Sequence, residues 1–184
     1  MIEVDEEPSI SDVYHRTLIE CLPRFWPQTA DIEGQYKKPT FDLLVEVIIQ
    51  SNWQNQLLII QSINSILQQS STLTSSDILP LLEPIINLGP RTKSSGLKRE
   101  MLKFLRILFD QNRYWQCFVD HSNARDMLQF NIDEMIHDTR SNEISEQAKE
   151  LKKIHEHLFV KIKPKNEQHE QEQTPRNFDS NDLF

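Results

Sequence analysis

The sequence predicts an all-α fold made of about three consecutive helical hairpins. Two observations carry this. First, apolar residues recur at helical spacing in paired stretches: 41–50 with 53–69, 77–88 with 93–110, and 124–137 with 143–159. The pairs follow one another at roughly the 40- to 47-residue period of HEAT and armadillo arrays. Second, the chain has only three glycines, Gly34, Gly89 and Gly96. That is few for a turn-rich sheet, and period-two alternation is rare. Such arrays bind partners along extended faces, so the fold class points to a scaffold and away from an enzyme.

Taken in order, residues 1–9 hold four acids and a proline and are read as a disordered N-terminus. A helix is expected over 10–22, capped by Ser9 or Ser11. Val13, Thr17 and Cys21 keep a spacing of four, and Pro23 is expected to end the helix. Residues 24–39 then form a connector anchored by Phe25 and Trp26. Over 41–50, Phe41, Leu44, Val45 and Ile48 make one stripe. Leu43, Val47 and Ile49 on the other faces imply a helix covered on two sides. After the break at Ser51 and Asn52, the next stripe is Trp53, Leu57, Ile60, Ile63 and Leu67. It is backed by a polar face of Gln54, Gln61 and Gln68. The stacked arrangement requires Trp53 to pack against its neighbours.

A Ser/Thr-rich loop at 70–76 leads to a helix over 77–88, capped by Asp77 and carrying Ile78, Leu81, Leu82 and Ile85. Pro84 is expected to kink or break it, and Gly89 with Pro90 to stop it. Leu97, Met101, Phe104, Leu105 and Leu108 mark the helix over 93–110, with Gly96 weakening its start. With Tyr114, Trp115 and Phe118 as its apolar residues, 112–121 is expected to begin the next repeat or form a short connecting helix. The last hairpin has Met127, Leu128, Ile132, Met135 and Ile136 on one helix, and Ile144, Ala148, Leu151, Ile154 and Leu158 on the other. The array thus occupies 10–160, and 161–184 reads as a disordered polar tail rich in Gln, Glu and His.

Net charge is −8, which disfavours a general nucleic-acid partner. Cys21 and Cys117 stand far apart in apolar segments, as buried free thiols rather than a disulfide or a metal site. The start lacks a signal-peptide pattern. The longest apolar run, 57–60, is far too short to insert in a membrane. A cytoplasmic and nuclear location is expected, with endomembrane contact only through partners.

No phosphate-cradling loop or nucleophile elbow occurs, and no catalytic residue, cofactor or metal is expected. His155 and His157 point about 200° apart on a helix and cannot share a metal ion, so a solvated face is the expectation for both. Asp138 is expected to cap the following helix or pair with Arg140. One stretch is locally basic: Lys98, Arg99, Lys103 and Arg106, preceded by Arg91 and Lys93. Lys98, Lys103 and Arg106 are placed largely opposite the apolar stripe. They form either a solvated outer face or a docking patch for an acidic partner, and Lys98, Arg99, Lys103 and Arg106 are the candidate partner-binding residues.

Four segments, in order, are similar to the C-terminal end of the large HEAT-repeat proteasome adapter and scaffold family, first named as an extracellular mutant. They are FWPQTADIEGQYKKPTFDLL (25–44), SNWQNQLLIIQSINSILQ (51–68), LKREMLKFLRILFDQNRYWQCF (97–118) and the stretch 132–158. The second resembles the family best, through Trp53, Gln56, Gln61, Ser62 and Asn64; the last does so through His137, Asp138 and Arg140 at its turn. Pro84 and Gly96 depart from the unbroken helices of the family. The resemblance implies a non-catalytic protein whose partners are proteasome subunits and the upstream repeats of the family. In that family the adapter spans the core and regulatory particles and links them to endomembranes. The different function this fold would also serve is that of a generic adapter in vesicle trafficking or nuclear transport.

Overall fold

In the computed structural model, which describes residues 10–29, 35–115, 118, 122–138 and 140–162, the described residues form α-helices and one 3-10 turn, with no strand. The helices are α1 (Ile10–Thr29), α2 (Lys37–Gln50), α3 (Trp53–Gln69), α4 (Ser75–Arg91), α5 (Ser95–Asp110), α6 (Ser122–Ile136) and α7 (Asn142–Ile162), with the 3-10 turn Asn112–Tyr114 after α5. They pack in two layers. One is the ladder α1–α3–α5–α7; the other is α2–α4–α6. The three predicted hairpins are α2/α3, α4/α5 and α6/α7, and α1 adds a fourth rung to the first layer without a hairpin mate among the described residues. This is an all-α array of packed helical hairpins of the HEAT/armadillo kind.

Local sequence sets the breaks. The Asn52 side chain accepts from the Asn55 N–H at 3.0 Å and starts α3. Thr74 and Asp77 form a reciprocal capping box at the start of α4, so Asp77 is its third residue rather than its cap. Ser94 accepts from the Leu97 N–H at 3.3 Å and caps α5. At the far end of α3, Arg113 of the 3-10 turn donates from Nη2 to the Ser70 carbonyl at 2.6 Å and the Leu67 carbonyl at 3.3 Å. It thereby serves carbonyls that a helix end leaves unpaired.

The core runs along the middle of both ladders. Helix α3 is its densest part: Ile59, Ile60, Ile63, Ile66 and Leu67 are all fully buried, each apolar side chain contributing roughly 1.5–3 kcal/mol by burial. Its polar residues lock it to both neighbours. Ser62 Oγ donates to the Ile19 carbonyl of α1 at 2.8 Å. Asn64 Nδ2 donates to the Glu100 carbonyl of α5 at 3.0 Å and to Glu100 Oε2 at 2.9 Å.

Several expectations are overturned. Pro23 does not end the first helix; α1 runs on to Thr29. Proline at 23 removes the N–H that would bond the Ile19 carbonyl, and the Ser62 hydroxyl takes its place. The anticipated connector is therefore partly helix, and its two aromatics part company: Trp26 is buried against Phe41, centroids 5.2 Å apart, whereas Phe25 is exposed. Likewise α4 is one unbroken helix through Pro80 and Pro84. The carbonyls those prolines release belong to Ser76 and Pro80, both exposed residues rather than core ones. Nor do Gly89 and Pro90 stop α4, which ends at Arg91. A Cβ on Gly89 would come within 2.9 Å of Met101 Cε, the far end of a flexible side chain.

Helix α2 is less covered than expected: Leu43 and Ile49 are exposed, while Val47 is half-buried against the core. Most importantly, Trp53 is 51% exposed. It is the first residue of α3, at the rim of the array, and the stack is carried from Ile59 onward instead. Of the stretch 112–121, Asn112–Tyr114 form a 3-10 turn and Phe118 is helical and buried, and Trp115 Nε1 donates to the Phe109 carbonyl at 2.9 Å. The residues at 116–117 and 119–121, Cys117 among them, lie outside the described set, as do 1–9 and 163–184.

Ser62→Ala is expected to strand the Ile19 carbonyl and cost about 1–2 kcal/mol in urea unfolding. Adding Pro23→Ala restores a backbone donor to that carbonyl and should recover part of the loss. A double variant no more stable than Ser62→Ala would refute this account of how α1 tolerates its proline.

Candidate docking faces

The four basic candidates of α5 divide sharply. Lys98 is 8% exposed, not on the outer face, and its ammonium is ion-paired with Asp138 in the α6–α7 turn. The reason lies in spacing: Lys98, Met101, Leu102 and Leu105 form an i, i+3, i+4, i+7 series, all buried. Asp138 also accepts the Arg140 backbone N–H at 2.9 Å. The Lys98 ammonium first, and that N–H second, hold its carboxyl below the usual carboxylate range. Asp138 thus bonds the Arg140 backbone, as anticipated in part, but its charge partner is Lys98.

Arg99, Lys103 and Arg106 are half-exposed along the α5 edge, each with a carboxylate in reach. Arg99 lies 3.6 Å from Glu143 and Lys103 3.9 Å from Glu100. Arg106 bonds Glu150 of α7 at 2.7 Å and Asp110 at 3.0 Å. Glu150, then Asp110, raises the Arg106 guanidinium above its ordinary value. This edge is therefore an α5–α7 clamp of mixed charge rather than a bare cationic patch. Its exposed pairs are each worth only about 0–1 kcal/mol. Between α6 and α7, Lys152 Nζ bonds Asp133 at 2.7 Å and lowers the Asp133 carboxyl.

His155 departs furthest from its expectation of a solvated face: it is 7% exposed, its ring 6.0 Å from Phe109. It falls in the series Ile144, Ala148, Leu151, His155, Leu158, every member buried, so the period held the signal that sequence reasoning gave to Ile154. Burial is the main force lowering its imidazole from 6.5 to about 4; Asp133 pulls the other way, while Arg125 and Lys152 add to the fall. His157 is exposed, as expected.

Among the described residues, no group of three or more His, Cys, Asp or Glu is placed to hold a metal ion. Among those same residues, no helix is long and apolar enough to cross a membrane. Cys21 is a free, half-buried thiol. Exposed apolar side chains gather at two places, apart from Phe130 of α6. On α1, Val13, Leu18 and Phe25 are exposed, and so are Tyr36 and Leu43. At the hairpin-turn end, a groove of about 660 Å³ runs between the α2–α3 and α4–α5 turns.

No family model matches the chain, and no solved structure matches it. It is similar to the human proteasome adapter and scaffold protein ECM29, at 28% identity over 169 residues. That likeness covers 85% of this chain and 9% of the human protein, so the chain spans about a tenth of that relative's length.

Two predictions follow from the buried charges. Lys98→Met leaves the Asp138 carboxylate without its countercharge and is expected to cost about 3 kcal/mol in urea unfolding. Lys98→Met with Asp138→Asn should recover most of it; equal losses in both would show that the pair is not what matters. His155 gives a pH window. The unfolded chain takes up a proton near pH 6.5, which the folded chain refuses until about 4. Its contribution is complete above pH 6.5 and fades as pH falls towards 4. Below that, the depressed carboxyls of Asp133 and Asp138 add their own loss. His155→Leu should flatten the fall in Tm between pH 6.5 and 4; an unchanged fall would assign it to other groups.

Proposed function

We propose that this chain is a non-catalytic scaffold segment that binds the proteasome and helps link or steady its particles in proteasome-dependent degradation. The observation that carries this is the similarity to a proteasome adapter and scaffold protein over 85% of the chain, on an array built to present surface rather than a cleft. The small share of the relative that is matched makes the particular proteasome contacts part of the proposal. So is the location, cytoplasm and nucleus.

The open flank of α1 is proposed to receive a further hairpin of the same kind. It presents Val13, Leu18 and Phe25 as exposed apolar side chains, and among the described residues α1 packs chiefly on α3. The rim formed by Arg99, Lys103 and Arg106 is proposed as a charged contact with the partner, while Lys98 belongs to the fold.

The test is capture of tagged chain from cell extract followed by mass spectrometry. Proteasome subunits are expected in the captured set. Vesicle-coat adaptors or nuclear import factors in their place would overturn the proposal in favour of a generic transport adapter. Arg99→Glu with Lys103→Glu, leaving Lys98 intact, is expected to weaken capture and its salt dependence. Undiminished capture by that variant would remove these residues from the contact.

A further inference from the structure

Every basic residue of α5 reaches a carboxylate, but Arg91 and Lys93, just upstream, do not. Both are exposed, and neither makes an ion pair among the described residues. They stand on the rim of the 660 Å³ groove at the hairpin-turn end. Its apolar wall is Ile49 from the last turn of α2, Trp53 from the first turn of α3, and Leu88 from α4. Ile49 is 65% exposed and Trp53 51%: two large apolar side chains left in water beside two unpaired cations.

We infer that this groove docks a short acidic peptide segment anchored by an aromatic or large aliphatic side chain. The inference does not depend on which assembly the chain serves. The volume lies within the range of sites that hold a few side chains. Trp and Arg are the residues that most often dominate binding energy at interfaces, and here they face one hollow. The ligand's charge sign follows from the surroundings. The chain carries a net −8, so an acidic segment is repelled over most of the surface and concentrated only where positive charge stands unopposed. A basic segment would meet like charge on the rim.

Part of the backbone here is already engaged. Asn52 and Ser94 each cap one first-turn N–H, that of Asn55 in α3 and of Leu97 in α5. Gln56 Nε2 donates to the Ile48 carbonyl at the end of α2, 3.1 Å away. Helix starts (α3, α5) and helix ends (α2, α4) meet here, so their dipoles offset one another. Ligand selection then rests on the pair of cations and the Ile49–Trp53 wall.

The experiment uses the full chain and two fluorescein-labelled synthetic nonapeptides. One places Asp and Glu around a Phe and a Leu; the other keeps the apolar residues and replaces every acid with Lys. Two readouts apply: anisotropy of the label, and acrylamide quenching of tryptophan emission. Of the three tryptophans, Trp26 is buried and Trp115 partly so, whereas Trp53 is half-exposed, so quenching reports chiefly on the groove. The acidic peptide is expected to bind with a Kd on the order of 10–100 μM at low salt and to shield tryptophan from acrylamide. The Lys peptide is expected not to bind. Arg91→Glu with Lys93→Glu should weaken the acidic peptide about tenfold or more while leaving the thermal melt unchanged, since both side chains are exposed. Equal binding of the two peptides, binding unaffected by the double variant, or no protection of tryptophan would each overturn the inference.

Discussion

Helix α3 can exist only with a helix on either side of it, and the rest of the molecule is arranged to satisfy that demand. Its buried residues, from Ser62 round through Ile59, Ile63, Leu67 and Ile60 to Asn64, cover more than half of its circumference. A helix so apolar has no independent stability in water. Its neighbours must also arrive in register, and two polar side chains set it. Ser62 and Asn64 are two residues apart and so point about 200° apart. One bonds α1 and the other α5. The same i, i+2 geometry that prevents His155 and His157 from sharing a ligand serves here to grip two neighbours at once.

The helical stripes were legible because burial at period 3.6 leaves a direct trace in composition; the bounds of α3 were read to the residue. What local rules missed was decided by residues far along the chain. Pro23 is tolerated because a hydroxyl 43 positions beyond Ile19 bonds the carbonyl it frees. Lys98 turns inward because Asp138, 40 positions away, waits there. In both cases a distant partner reverses the local preference, and no window along the sequence contains it. Trp53 is a different case. It fits the stripe by period, but a stripe says nothing about where the neighbouring helix ends, and the first turn of α3 lies at the rim. His155 was legible in principle: the series from Ile144 to Leu158 includes it, and a polar residue type was weighted above its position.

Charge in this array does two kinds of work that net charge conceals. On α5, Lys98, Arg99 and Arg106 face carboxylates of α7 and of the turn before it and so tie one rung to the next, while Lys103 pairs with Glu100 of its own helix. The buried Lys98–Asp138 pair is the most specific of these ties, since a displaced α7 would leave both charges buried alone. This internal pairing is what gives Arg91 and Lys93 their distinct character. The basic stretch that reads as continuous in sequence is, in space, a neutralised clamp followed upstream by two unopposed cations.

The two exposed apolar regions differ in kind, and the difference bears on how a repeat array acquires specificity. The exposed apolar side chains of α1, Val13, Leu18 and Phe25, lie along a helix surface, which under the proposed function meets a further hairpin. The groove at Trp53 is concave, assembled from the turns of two successive hairpins, and bordered by charge. It exists only where two hairpins are stacked in correct register. The stacking that Ser62 and Asn64 enforce from within α3 therefore also fixes the distance between Trp53 and Arg91 at the surface. A site of this type inherits its precision from the core, which is how a fold without a catalytic cleft can still discriminate among partners.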